Sequence, residues 1–462
     1  MSVTDENAVS GNRKLIYFTF SLLTAMGMTW LVHEPGFTES QNYVLFLLVF
    51  SAGLWLTEAV PPFAVGLFII AFLGYTLGTK MFITTPEDIH IYVNTFSSSV
   101  VWLMLGGFFL ASAMTKVKLE VDLIKGTLRV CGTNPKWILF GMMTITMIAS
   151  MLISNTATTA MVVAALMPLL RKLGKKSSIS KALILGIPIA ATTGGMGTLI
   201  GSPPNAIAAG VLVSVNKPID FIIWVLYGLP VTIILTWLAW WVLVKIFMKE
   251  ATPMSLRALV PHKHAHDGEA SPLKRWTVLI ILAVTLLLWL TPSFHHLSAA
   301  AVSAVPLVFL PLTQILSGED VRGMGWDTLL LVAGGLSLGT ALQHTGLLDL
   351  YAARIATLDV PDLGFFLLLG YATMLFSNIM SHTATSTVLI PLGMAILPDN
   401  HVEVAMIISL SASTALFLPV STPPNAIAYS TGFIEQKDFR LGGILIGLLG
   451  PALIILWVLL IS

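Results

Sequence analysis

Charge is scarce in this chain. Of its 462 residues only 10% are Asp, Glu, Lys or Arg, while 56% are hydrophobic, against roughly a quarter charged in soluble domains. No soluble core needs that ratio, and a soluble globular protein is excluded. The charges also nearly cancel, 24 basic against 23 acidic, for a net +1, so nothing marks a nucleic-acid partner. Cysteine is represented by Cys131 alone, which excludes an internal disulfide framework and a cysteine metal cluster. No cleavable leader is expected either: the first fourteen residues are polar and lack a cleavage pattern of small residues after a short apolar core, so 15–32 reads as a first transmembrane helix rather than a removed signal.

What fills the chain instead is apolar runs of membrane-crossing length, each needing about 20 residues. Spans are expected near 15–32, 43–60, 61–77, 98–115, 182–213, 219–248, 276–291, 297–316, 326–345, 403–431 and 439–461. Two further stretches, 137–172 and 363–398, would each make a helix of about 54 Å at 1.5 Å per residue, far beyond a hydrocarbon core of about 30 Å. Each carries a polar motif near its centre: Ser154-Asn155-Thr156-Ala157-Thr158-Thr159 in the first, Ser381-His382-Thr383-Ala384-Thr385-Ser386 in the second.

Basic residues flank the first stretch on both sides: Lys116, Lys118, Lys125, Arg129 and Lys136 before it, Arg171, Lys172, Lys175, Lys176 and Lys181 after it. Both flanks therefore belong in the cytoplasm, and the segment enters and returns on one side. A re-entrant hairpin fits, its polar tip permitted at that depth where it lines a protein cavity. With hairpins counted as no crossing, the N-terminus is cytoplasmic, as is the loop 249–275 with Arg257, Lys263, Lys274 and Arg275. The second hairpin enters from outside, where Asp359, Asp362, Asp399 and Glu403 outnumber Arg354. The expected architecture is an all-α polytopic membrane protein of eleven transmembrane helices and two hairpins, with its C-terminus outside.

The chain also repeats itself. LMLGGFFLASAM around Gly106-Gly107 returns as LLVAGGLSLGTAL around Gly334-Gly335, SNTATTAM as SHTATSTV, and GSPPNAIAAG as VSTPPNAIAYS, in the same order and 220 to 228 residues apart. An odd number of crossings separates the copies, so they face opposite ways. Inverted repeats with interrupted helices mark secondary transporters. The expected organisation is a tail and first helix over 1–42; repeat one over 43–248, with hairpin 137–172 and broken helix 182–213; a linker, 249–275; and repeat two over 276–462, with hairpin 363–398 and broken helix 403–431. Pro203-Pro204 and Pro423-Pro424 break the last helix of each set, with Ser202 and Thr422 placed to cap the restarted helices.

Four helix N-termini, two per repeat, are thus expected near the midplane, where their N–H groups and dipoles favour anions. No Lys or Arg lies well inside these segments, so an anion needs a mobile counter-ion. Hydroxyls, Asn oxygens and unwound carbonyls are ligands for a hard cation such as Na⁺, which points to co-transport of a small anion with Na⁺. Two symmetric motifs suit a substrate with two anionic ends.

The paired SNT-type hairpin motifs with (S/T)PPN in both broken helices resemble the divalent anion/sodium symporter family, of the INDY dicarboxylate-transporter type, over residues from about 43 to 462. That resemblance implies a homodimer in which each protomer has a scaffold domain and a transport domain moving like an elevator. It implies one sodium site from Ser150, Ser154, Asn155 and the Gly201 carbonyl, and a symmetric one from Ser377, the Met380 carbonyl, residue 382 and Ser421. Substrate carboxylates would meet Ser154, Asn155, Thr156, Ser202, Pro203, Ser381, His382, Thr383, Thr422 and Pro423. The departure is His382, where the family has asparagine. Neutral imidazole is a poor Na⁺ ligand, and imidazolium would repel the ion and pair with the substrate instead.

The expected function is Na⁺-coupled symport of C4-dicarboxylates such as succinate, malate and fumarate across a plasma membrane, a bacterial inner membrane by preference, with Na⁺ as coupling ion and no organic cofactor. A Na⁺-independent dicarboxylate exchanger remains open, as does a symporter of citrate, sulfate or another divalent anion. An intramembrane hydrolase using His382 with Ser377 or Ser381 needs one asymmetric constellation with an orienting acid, and the repetition argues against it; no enzyme is expected. The Gly-Gly pairs read as packing, residues 116–136 as a basic amphipathic surface helix, and His262, His264 and His266 as part of a solvated loop.

Overall fold

Hydrocarbon offers the backbone no hydrogen-bond partner, so a chain this apolar must satisfy its peptide groups segment by segment. The computed structural model describes residues 3–34, 36–248, 271–350 and 361–462, and all the regular structure among them is helical. Eight of these helices are long and apolar enough to cross a membrane, among them Asn12–Val32, Ser178–Gly197, Phe221–Phe247 and Gln436–Ile461; five shorter apolar helices accompany them. The protein is an all-α, multi-pass membrane protein. Arg257, Lys263 and the histidines of 262–266 lie outside the described residues, as do Arg354 and Asp359, while Lys274 and Arg275 already belong to the helix Pro272–Leu290.

Both overlong stretches fold as helix–turn–helix. The first comprises Pro135–Ser150 and Asn155–Leu173, the second Asp362–Ser377 and His382–Ile396. The serines that open the polar motifs are the caps of the second arms. Ser154 Oγ accepts from the Ala157 N–H at 3.2 Å, and Ser381 Oγ from the Ala384 N–H at 3.1 Å. Capping satisfies an N–H that the helix itself cannot. The other two helices are interrupted, each ending well before its Pro-Pro pair, and the prolines begin the restarted helices. Ser178–Gly194 ends in a 3-10 turn at Gly195–Gly197 and extended backbone at Thr198 before Pro203–Ser214 begins. His401–Ala412 is likewise followed, after an unwound stretch, by Pro423–Ser430. The expected span 297–316 is itself interrupted, into Ala299–Val302 and Ala304–Leu312.

The chain divides into two compact units that interleave along the sequence. One consists of 1–101, 206–218 and 325–412; the other of 102–205, 219–324 and 413–462. In the first, Val65, Ile69 and Leu73 share a core with Leu331, Leu338, Leu342 and the fully buried Tyr92. The helices Pro62–Thr76 and Trp326–His344 meet there backbone to backbone: a Cβ added to Gly334 would lie 2.2 Å from the Gly66 Cα. Met380 and Ala384, at the turn of the second hairpin, belong to this same core.

In the second unit the first hairpin packs on Ser178–Gly194, of which Ala182 to Gly194 are all buried. Phe221–Phe247 covers the break in that helix, and its Trp224 Nε1 donates to the Met196 carbonyl at 3.1 Å. The short helix Pro423–Ser430 also belongs here and packs against both Asn155–Leu173 and Ser178–Gly194. Gly106 packs against Ser303, whose Cβ lies 2.7 Å from where a Gly106 Cβ would stand.

Candidate functional site

The tip of the first hairpin is built from the turn between its arms. The first arm ends at Ser150 and the second starts at Asn155, which brings the fully buried Ser150 hydroxyl within 2.6 Å of Asn155 Oδ1, to which it donates. Asn155 is half-buried, and Ser154 and Thr156 are exposed at the tip. At N1 and N2 of the second arm, Asn155 and Thr156 carry N–H groups with no intrahelical acceptor, and the helix dipole adds to their pull on an anion.

The broken helix meets this tip through glycine. A Cβ on Gly195 would lie 2.6 Å from Asn155 Oδ1, 2.9 Å from Asn155 Nδ2 and 3.0 Å from the Gly201 carbonyl oxygen. Gly195 therefore leaves a cradle where a side-chain oxygen and a main-chain oxygen converge. Gly194 approaches Met147 as closely, with the Met147 carbonyl 2.5 Å from where a Cβ would stand. The Thr198 hydroxyl donates to the Met151 carbonyl, tying the unwound segment to the hairpin turn. Ser150, Asn155 and Gly201, three of the residues expected to hold Na⁺, thus cluster within one unit. Ser154 takes part as the cap of the arm.

The unwound segment needs donors for the carbonyls its lost helical bonds leave open. Asn205, fully buried, supplies two: its Nδ2 donates to the Gly195 carbonyl at 2.8 Å and to the Thr198 carbonyl at 2.8 Å. Sequence reasoning passed over this residue. Its signal was present, an asparagine following Pro-Pro in both copies. In the second copy Asn425 Nδ2 donates to the carbonyls of Leu416 at 3.3 Å and Leu418 at 2.9 Å. There Thr422 caps Pro423–Ser430 by accepting the Asn425 N–H at 3.1 Å, and the Ser421 hydroxyl accepts the Leu418 N–H at 3.0 Å.

One expectation about anion binding changes in detail. Prolines at 203, 204, 423 and 424 have no N–H to offer, and the Asn205 N–H is used by the Ser202 carbonyl at 3.1 Å. Of the four helix N-termini, the broken-helix starts can therefore offer an anion little beyond dipole and hydroxyls, whereas the hairpin starts have N–H groups to offer. Ser202 and Thr422 are buried and Pro423 exposed. The second motif is divided between the units: Ser377, Met380, Ser381, His382 and Thr383 belong to one, Ser421, Thr422 and Pro423 to the other. Ser377, the counterpart of Ser150, has a fully buried hydroxyl with no hydrogen-bond partner among the described residues. Ser381, His382 and Thr383 are half-buried. Among the described residues no group of three or more His, Cys, Asp or Glu could hold a metal ion.

Residues 13–462 match the sodium:sulfate symporter transmembrane region. The chain belongs to this family. It is one of the divalent anion/sodium symporters that the hairpin and (S/T)PPN motifs resemble. Curated relatives extend over nearly the whole chain. The sodium-dependent dicarboxylate transporter SdcS of Staphylococcus saprophyticus is 29% identical, covering 93% of this chain and 88% of its own. The sodium-dependent high-affinity dicarboxylate transporter 3 of Caenorhabditis elegans is 28% identical, over 88% and 80%. An uncharacterised transporter of Haemophilus influenzae is 30% identical, over 90% and 91%. Among solved structures the YdaH transporter of Alcanivorax borkumensis superposes with a TM-score of 0.59 at 14% identity, covering 86% of this chain and 98% of its own, a likeness of fold. The protein is a membrane transporter and not an enzyme.

Proposed function

We propose that the chain is a secondary active transporter that carries a C4-dicarboxylate such as succinate, malate or fumarate together with Na⁺. The observation that carries this reading is the cradle at Gly195, where Asn155 Oδ1 and the Gly201 carbonyl converge beside Ser150. Oxygens of this kind suit a hard cation, and the N-terminus of the adjoining arm suits a carboxylate. In this reading Na⁺ is cargo held by Ser150, Ser154, Asn155 and Gly201. The substrate is held by Ser154, Asn155 and Thr156 with Ser202 and Pro203, and in the second copy by Ser381, His382, Thr383, Thr422 and Pro423. The relatives named as sodium-dependent dicarboxylate transporters support the same pairing of cargo. The protein works as a homodimer by an elevator motion of a transport domain against a scaffold, in a bacterial plasma membrane, with its N-terminus cytoplasmic and its C-terminus outside.

A second reading rests on His382, which stands where the first copy has Asn155. A protonated imidazole there supplies the positive charge a second Na⁺ would bring, which leaves Ser377, Met380 and Ser421 without a cation to share and turns the carrier toward Na⁺-independent exchange. A competition panel tests the substrate. With purified protein in liposomes, unlabelled succinate, malate and fumarate are expected to suppress labelled succinate uptake, and sulfate and citrate to leave most of it. Suppression by sulfate or citrate at lower concentration than succinate would replace the dicarboxylate by that anion.

A further inference from the structure

The carbonyls of Gly195 and Thr198 are three residues apart on a segment that has left the helix, and a single side-chain amide holds both. Asn205 reaches back ten and seven residues to do so. The direction of that amide is not in doubt, because two carbonyl oxygens can be met only by an NH₂ group. Asn205 Oδ1 accepts no hydrogen bond among the described residues, so the side chain is oriented by its two donations alone. Prolines at 203 and 204 favour this use of the third helical position. They have no N–H to be satisfied, and their fixed φ starts the helix at a defined point.

Gly195 consequently sits between two asparagines. Its carbonyl is held by Asn205, while its Cα faces the Asn155 amide and the Gly201 carbonyl that form the cradle. A Cβ on Gly201 would in turn lie 2.6 Å from the Gly195 carbonyl oxygen, so turning that peptide would displace Gly201 as well. Met196, the next carbonyl, is taken by Trp224. The second copy repeats the arrangement with Asn425 on Leu416 and Leu418, and its Oδ1 likewise accepts nothing among the described residues.

We propose that Asn205 is a positioning residue for the first cation site: its amide clamps the carbonyls of Gly195 and Thr198 and thereby fixes the face that Gly195 and Gly201 turn toward Asn155. Asn425 is the equivalent clamp of the second broken helix. The proposal rests on the reading that the cradle holds Na⁺, and two separate readouts keep them apart. The first is hydrogen exchange of purified protein without transport. Asn205→Ala should raise exchange over 195–202 and leave the hairpin arm 137–148 unchanged, and Asn425→Ala should raise it over 416–421 and not over 195–202. The second is uptake in liposomes. Asn205→Ala should raise the sodium concentration for half-maximal uptake by about tenfold, as loss of an outer-sphere support does, with the succinate KM at saturating sodium little changed.

Unchanged exchange over 195–202 in Asn205→Ala would overturn the clamp, and so would an equal rise across the whole protein, which would show a general structural role. If the wild-type protein ignores sodium, the Na⁺ reading fails while the exchange result still decides the clamp. Should Asn205→Ala not yield folded protein, Asn205→Ser carries the same measurements with a smaller polar side chain in place.

Discussion

Ser150 donates a 2.6 Å hydrogen bond to Asn155 Oδ1 across the turn that separates the two arms of the first hairpin. The bond joins the last residue of one helix to the first of the next, so the tip is fixed by the same oxygen that faces the cradle at Gly195. Replacing Asn155 by Ala removes that oxygen and is expected to abolish sodium-dependent uptake. Ser150→Ala leaves that oxygen in place but removes both its donor and the Ser150 hydroxyl that the proposed site offers to Na⁺, and should raise the sodium requirement by at least about tenfold. Proteoliposome uptake across a sodium titration reads both, and a normal sodium response in Asn155→Ala would remove this residue from the site.

Gly195→Ala is the steric counterpart. Its methyl would stand 2.6 Å from Asn155 Oδ1, inside van der Waals contact, and overpacking of this kind costs about 1–3 kcal/mol. The variant should fold with a lowered melting temperature and show little sodium-stimulated uptake. An unaltered melting curve with full uptake would mean that the helix and hairpin do not stay this close in the working protein.

His382→Asn restores the asparagine that the first copy carries. The expected outcome is a steeper dependence of uptake on sodium than in the wild type, because a second oxygen site becomes available beside Ser377. Identical sodium curves for the two proteins would show that residue 382 has no part in ion coupling.

Much of this arrangement was legible in the sequence. A 36-residue apolar stretch at 137–172 is too long for one crossing, and Ser154 and Ser381 opening a helix is what their side chains favour. Pro203 and Pro423 announced the breaks. What was not legible depends on contacts between distant residues. Gly195 reads as a generic small residue until Asn155, forty positions earlier, is seen against it. Asn205 reads as an ordinary helix-start asparagine until the unwound carbonyls are in place. The interleaved units, with the two hairpins in different ones, follow from packing that periodicity does not encode. The interruption at Ser303 is local and subtle, its hydroxyl bonding back to the Ala299 carbonyl at 2.9 Å within a run whose composition suits one helix.

Lys181 and Asp438 anchor the broken helix to the C-terminal helix. Their side chains form a 3.1 Å ion pair with Asp438 mostly buried, and Asp438 also accepts the Glu435 N–H at 2.8 Å in the cap of Gln436–Ile461. Lys181→Met would leave that carboxylate without its cation. The cost should be about 1–3 kcal/mol, below that of a fully buried pair because Lys181 is partly exposed. Thermal unfolding in detergent checks this, and Lys181→Met combined with Asp438→Asn should recover part of the loss. A single variant as stable as the wild type would show the pair to be solvated in practice.

Succinate uptake into proteoliposomes, with an inward sodium gradient or with choline in its place and with or without internal succinate, tests the central claim most directly. Uptake that requires sodium and no internal substrate is the predicted result. Uptake that ignores sodium but needs succinate inside would contradict it and make the protein an exchanger, with His382 in the place of the ion.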